Sequence, residues 1–505
     1  MGSPTTGGRL LATRRGKLIL LLLCGIAFLD FVDAPIVNIA LPMIQHDLHF
    51  SVSALIWVPS GYLLTYGGFM LLGGRAADLL GRRRVLIAGV VVIGISCLIG
   101  GLAQSEGVLI GARLAQGFGA ALTLPAALSI LTTTYRQGPD RHAALGMWGT
   151  VAGMASAIGV LIGGLLTEGP GWRWVMFVNP LACIPVLAGI FTLLADDRPV
   201  RARERVDVAG ALLATCGMLL LVYALVKAPT VGWGDAGTLG ELAGALALLA
   251  LFVVTELRAR HPVVPLSIFR INGLGISNAT QLIAFAGFLA TFFFLTLYMQ
   301  DVLRYSPIQT GAAYVPLTVA TMIAAGVSVQ LLARVGTRPV IVVGALVTGA
   351  GIFWVSHIPV HGSYGDDLLP ALIVIGLGVT PVFVGVTTAG NAGVPADKAG
   401  LAASLLNASQ QLGGALGLAI FEAVATSRTN HLIATGATHT YALTAGFQRA
   451  LLIGSLFLLA AAVIGLRATN TRGETEHSEA RRDVGFHEPL SAAPVSATSP
   501  TDRSV

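Results

Sequence analysis

Four ionisable side chains lie inside stretches that are otherwise apolar. Asp30 and Asp33 interrupt the run 17–41, Arg113 interrupts Leu-Ile-Gly-Ala-Arg-Leu-Ala-Gln-Gly, and Glu422 follows Gly413, Gly414 and Gly417. Asp30 and Asp33 are three residues apart, so a helix carries both on roughly one face. An ionised group at the middle of a bilayer costs several kcal/mol and usually lines a cavity or a proton path. A guanidinium there needs a carboxylate or several carbonyls to meet it. A carboxyl held between desolvation and a nearby cation can take a proton in one conformation and release it in another. The competing structural readings are a carboxylate pair satisfied by hydroxyls or helix ends, and an arginine clamped on carbonyls. Glu422 either lines a cavity or lies close enough to a membrane face to reach water.

The elements that position these groups follow from composition. Of 505 residues, 54% are hydrophobic and only 11% charged, with a mean hydropathy of +0.78, against about 25% charged in an ordinary soluble domain. Such a chain hides most of its surface in lipid or against other helices. Sixty-two glycines are scattered through it, and small residues let membrane helices approach closely. The net charge of +6 does not indicate nucleic acid, because the basic residues cluster between apolar runs, where sidedness explains them. Cys24, Cys97, Cys183 and Cys216 stand singly in apolar spans, without metal or redox spacing, and read as buried thiols. The basic start followed by an apolar run could mimic a signal peptide, but its two aspartates point to a retained first span.

Fourteen apolar runs of about 20 residues, the length needed to cross the hydrocarbon core, extend from 17–41 to 447–467. The loop 73–84 carries Arg75, Arg82, Arg83 and Arg84, and arginine-dense short loops stay cytoplasmic. An even number of spans then puts both termini in the cytoplasm. The expected fold is an all-α integral membrane protein with fourteen transmembrane helices: a six-helix bundle (1–195), a linker with an inserted helix pair (196–270), a second six-helix bundle (271–467) and a disordered tail (468–505). The linker is basic, with Arg198, Arg201, Arg203 and Arg205, and the tail is rich in Ser, Thr and Pro.

Several motifs in order resemble the fourteen-span drug:proton antiporter branch of the major facilitator superfamily. In the loop 73–84 these are Gly74, Asp78, Gly81, Arg82 and Arg83. In the first helix Asp33-Ala-Pro-Ile-Val-Asn-Ile-Ala-Leu-Pro aligns Asp33 with the family acid and Asn38 with its asparagine, although Pro35 replaces a usual threonine. In the fourth helix Arg113, Gln116 and Gly117 match, and in the fifth Gly159, Gly163 and Gly164 match an antiporter motif whose proline is Val160 here. Trp172-Arg173-Trp174 through Pro180 matches the sixth-helix entry, and 297–307 the link between helices nine and ten. The second-half echo of the 73–84 loop, Arg334, Gly336 and Arg338, lacks an aspartate.

The resemblance implies a major facilitator fold and a proton-coupled exporter of hydrophobic drug-like or antibiotic compounds. It makes Asp33 and Arg113 the coupling pair, and Asp30, Asn38, Gln116 and Glu422 cavity residues, with acid at Glu422 favouring cationic cargo. Asp78 would steady one conformation by facing a helix start near Gly400. The partners expected are a small hydrophobic substrate, protons and the lipid bilayer of a bacterial cytoplasmic membrane, with no nucleic acid, metal or cofactor. A metabolite facilitator or proton symporter of the same fold is the competing reading. An intramembrane enzyme built on Asp30-x-x-Asp33 would need a second acidic cluster, and Asp366 and Asp367 look external. No phosphate-binding loop of an ATP-driven pump occurs.

Overall fold

A computed structural model describes residues 11, 13–135, 139–195, 208–259, 262, 268–269, 271, 273–392, 394 and 399–471, a few helix residues (Asp78, Gly149, Gly153 and Gly400 among them) by backbone alone. The linker 196–207 and the tail beyond 471 fall outside the described residues. Within them the chain forms fourteen long helices: α1 (Arg14–Leu48), α2 (Trp57–Leu80), α3 (Arg82–Gly101), α4 (Glu106–Thr134), α5 (Pro139–Glu168), α6 (Arg173–Leu193), α7 (Val208–Val231), α8 (Ala236–Arg258), α9 (Leu274–Leu297), α10 (Val315–Val335), α11 (Thr337–Val355), α12 (Leu369–Asn391), α13 (Ala399–Ala434) and α14 (His439–Gly465). Eleven are long and apolar enough to cross a membrane. Of the other three, α2 and α13 bring Tyr62, Tyr66, Gln410 and Gln411 to the centre of the molecule.

Two helices outrun the expected spans. α1 has 35 residues and α13 has 36, about 52 Å at 1.5 Å per residue, against a hydrocarbon core of about 30 Å. Their polar ends are helical because a helix satisfies its own backbone inside or outside lipid.

Helices α1–α6 pack among themselves, as do α9–α14, while α7 pairs with α8 and lies against α2 and α13. The helix pair therefore covers one flank of the seam between the two halves. A small apolar cluster of Ile268, Leu274, Ala402 and Leu405, joined by Leu71 from α2 and Phe252 from α8, consolidates it.

The repeat that was faint in sequence is plain in geometry. Gly81 separates α2 from α3 at φ 97°, and Gly336 separates α10 from α11 at φ 87°, a backbone conformation that glycine adopts without steric cost. Two residues on, Arg83 donates from Nη2 to the Phe191 carbonyl in α6 at 3.2 Å, and Arg338 donates from Nε to the Ala468 carbonyl just past α14 at 2.9 Å. Each half thus ties its second-to-third helix turn to the end of its own sixth helix.

Candidate functional site

The polar residues of α1 and α4 meet in the N-terminal half. Arg113 is 1% exposed and donates from Nη1 to Asp33 Oδ2 at 2.7 Å. It also donates to the Val58 carbonyl from Nε at 3.0 Å and to Gln116 Oε1 from Nη1. The second Asp33 oxygen accepts from Gln116 Nε2 at 2.7 Å and from Asn179 Nδ2 at 3.2 Å. The Tyr62 ring lies 4.4 Å from the guanidinium carbon. Both charges are buried, opposed and multiply hydrogen-bonded, the condition under which a buried pair is tolerated. Close approach of α4 to α2 makes this possible: a Cβ on Gly117 would collide with the Tyr62 carbonyl and the Thr65 hydroxyl.

Asp30, one turn away on α1, has a different environment. Tyr66 donates to its Oδ2 at 2.5 Å and Tyr62 to its Oδ1 at 3.5 Å. It faces a central cavity between the halves. The N-terminal wall includes Asp30, Asn38, Tyr62, Tyr66 and Arg113; the opposite wall includes Phe285, Phe288, Phe292, Asn407, Gln410 and Gln411. Phe285, Phe288 and Phe383 form a cluster with centroids 5.7 to 6.3 Å apart.

One end of the cavity is sealed by contacts between the halves. Asn38 Nδ2 donates to the Thr296 hydroxyl at 2.9 Å, Gln300 Nε2 to the Ile39 carbonyl at 3.0 Å, and the Ile308 N–H to Glu168 Oε2 at 3.1 Å. Of the α5 glycines, Gly164 serves this seal, while Gly159 and Gly163 pack α5 against α1. A Cβ on Gly159 would lie 3.2 Å from Pro35 Cβ, one on Gly163 2.9 Å from the Ile36 carbonyl oxygen, and one on Gly164 2.8 Å from that of Pro307. At the other end α4 and α12 are not packed together among the described residues.

Two cavity assignments need correction. Glu422 does not line the cavity: it lies one turn beyond Leu418, 1% exposed, with Oε1 accepting from Thr426 and Oε2 lacking a hydrogen-bond partner among the described residues. The sequence placed it inside the span without fixing which neighbours it meets. Gln116 lines a smaller adjoining pocket with Asp33 and Asn179 and acts on Asp33. Cys216 is exposed, whereas Cys24, Cys97 and Cys183 are buried, because the outer face of α7 has no neighbouring helix to cover it. Gly74 sits in α2 facing Pro125, and Gly81 and Arg82 form the turn into α3; the side chain of Asp78 and the expected contact near Gly400 fall outside the described residues. Asn179 lay within the sixth-helix motif 172–180 but was not singled out, because a single amide inside an apolar span names no partner. Tyr62 and Tyr66 were visible only as two aromatics among many.

Two helical bundles around a cavity, with a buried ion pair on one wall, define a membrane transporter. The chain matches the Major Facilitator Superfamily over residues 23–418 and belongs to it. Among its relatives, it is 38% identical to the cephamycin export protein CmcT of Amycolatopsis lactamdurans, covering 86% of this chain and 90% of that one. It is 37% identical to the puromycin resistance protein pur8 of Streptomyces alboniger, covering 81% of each, and 36% identical to the tetracenomycin C resistance and export protein of Streptomyces glaucescens, covering 79% and 73%. The fold is also that of the peptide-transporter-family protein PepTSo, with a TM-score of 0.64 at 16% identity over 89% of this chain and 98% of that one.

Proposed function

We propose that this protein exports hydrophobic, drug-like or antibiotic compounds from a bacterial cell in exchange for protons, by alternating access about the central cavity. The observation that carries the reading is the Asp33–Arg113 pair, buried at 2.7 Å beside a cavity walled by aromatic rings. Protonation of Asp33 removes the anion that holds Arg113, so the network of Gln116, Asn179 and the Val58 carbonyl must rearrange. That change on α1 reaches the seal directly, because Asn38 and Ile39 sit on the same helix. The names of the export and resistance relatives support the cargo class.

The reading places both termini and the turns at Gly81 and Gly336 in the cytoplasm, in accord with their arginines. The sealed end then faces outward. The residues Gly74, Asp78, Gly81, Arg82 and Arg83 form a cytoplasmic gate, and Gly159, Gly163 and Gly164 form the packing face of the outer one. In acid-loaded inverted membrane vesicles, adding an exported compound should make the lumen more alkaline as protons leave. Lumen acidification would instead identify a proton symporter, and no change a facilitator.

A further inference from the structure

The amides on the C-terminal wall are fixed from behind. Gln281 of α9 is 3% exposed and does not line the cavity; it donates from Nε2 to Gln410 Oε1 of α13 at 2.9 Å. One turn away on α9, Asn278 Oδ1 accepts from the Ser409 hydroxyl at 2.7 Å, and its Nδ2 is spent on the Leu274 carbonyl at 2.8 Å. Two adjacent side chains of α13 are therefore gripped by two of α9. The helices come close enough because α13 has a glycine here: a Cβ on Gly413 would lie 2.2 Å from the Leu282 carbonyl oxygen.

This grip decides what Gln410 shows the cavity. A side-chain amide has one carbonyl oxygen and two N–H donors. With its oxygen turned to Gln281, Gln410 keeps only the N–H groups for whatever enters, and its Nε2 makes no hydrogen bond to another described residue. Turning both amides over is the worse arrangement. Gln281 Oε1 has no partner among the described residues, and the reversal would bury two unpaired N–H groups where one oxygen now goes unpaired.

The rings on the same wall complete the site. Gln281, Phe285, Phe288 and Phe292 fall on one face of α9, and the three phenylalanines line the cavity. A Cβ on Gly414, one turn from Gln410, would lie 3.0 Å from Phe285 Cε1, so the ring face begins one turn from the donor. No charged side chain from α9, α10 or α13 lines the cavity among the described residues. The complement of this wall is a flat arene with a neutral acceptor on its edge.

We propose that Gln410 is a specificity-determining donor that selects uncharged aryl cargo bearing a carbonyl at the ring edge, and that Gln281 is its positioning residue. The assignment rests on the exporter reading above and narrows its cargo class. A compound of the same shape without the carbonyl leaves the Gln410 N–H groups desolvated and unpaired, and the discrimination arises there.

Three uncharged tricycles of nearly equal shape test this: 9-fluorenone, which carries an acceptor, carbazole, which carries a donor, and fluorene, which carries neither. Binding of each to the full-length protein in nanodiscs is measured by equilibrium dialysis, with protein-free nanodiscs subtracted. The native protein should bind fluorenone about tenfold more tightly than fluorene, the size of one neutral hydrogen bond whose loss strands a buried donor, and carbazole no better than fluorene. Gln410→Met, of the same length but without N–H groups, should erase the preference; Gln410→Leu should do the same and serves if the first variant does not fold. Gln281→Met should reduce the preference to about threefold in the native background and change nothing in Gln410→Met, a coupling that a general loss of packing would not produce. Extrusion of N-phenyl-1-naphthylamine from vesicles tests the exporter reading separately. Native protein that extrudes the dye but binds fluorenone no better than fluorene, or binds carbazole best, overturns the assignment while leaving the exporter reading intact; so does Gln410→Met with the native preference. A fluorenone preference in protein that extrudes nothing supports the site and removes the exporter reading.

Discussion

The two walls of the cavity are built from different chemistry. The N-terminal wall carries the Asp30 carboxyl, the Arg113 guanidinium and phenols, with Asp33 behind it; the C-terminal wall carries phenyl rings and amides. The difference teaches that the fold repeat has been divided between two tasks. Within the cavity lining, the carboxyl that can take a proton stands on α1, the helix that carries Asn38 and Ile39 of the seal. The opposite wall offers polarisable, exchangeable contacts that make few demands on cargo shape. Its amides are partly engaged already, Gln410 accepting from Gln281 at 2.9 Å and Asn407 donating to the Ala403 carbonyl at 3.1 Å.

If this division holds, substitutions on the two walls should differ in kind. The largest effect should follow Arg113→Ala, which leaves the buried Asp33 carboxylate without its cation. Removing one partner of a buried pair costs about 3–5 kcal/mol, so thermal unfolding in detergent should show a drop of that size and transport should be lost. Next, Gly164→Val should wedge the outer seam at the Pro307 carbonyl. Turnover should fall about tenfold, a penalty of ~1.4 kcal/mol on closure, with increased labelling of a cysteine placed at Ile308. On the opposite wall, Phe288→Ala should change affinity for individual compounds by a few-fold, in directions that differ among them, while leaving proton coupling intact. The smallest effect should come from Arg338→Ala, which removes one hydrogen bond to a carbonyl, worth about 0.5–1.5 kcal/mol. Arg83→Ala should cost somewhat more, since its guanidinium also lies over the Phe191 ring, 5.7 Å from the centroid.

Much of this was legible in the sequence, and the reasons for what was not are physical. Asp33 and Arg113 stood out because an ion in an apolar run must find a partner, and the partner was the only deep guanidinium available. Tyr62, Tyr66 and Asn179 did not, because aromatic rings and single amides are compatible with lipid edges, packing cores and cavities alike. Glu422 shows that an acid inside an apolar span can be packed among helices without lining the cavity. The second-half tie through Arg338 was hidden for another reason: its partner is a backbone carbonyl, and Ala468 and Phe191 can serve equally well with unrelated side chains. The family resemblance gave the order of the helices, whereas the position of the inserted pair against α2 and α13 came only from the packing.

The central claim is that a proton on Asp33 drives cargo across the membrane, and it is tested most directly by pH-gradient-driven accumulation in reconstituted vesicles of native protein and Asp33→Asn. The native protein should concentrate an exported compound when a gradient is imposed. Asp33→Asn should still equilibrate the compound between the two sides but gain nothing from the gradient. Gradient-driven accumulation by Asp33→Asn at the native rate would contradict the account.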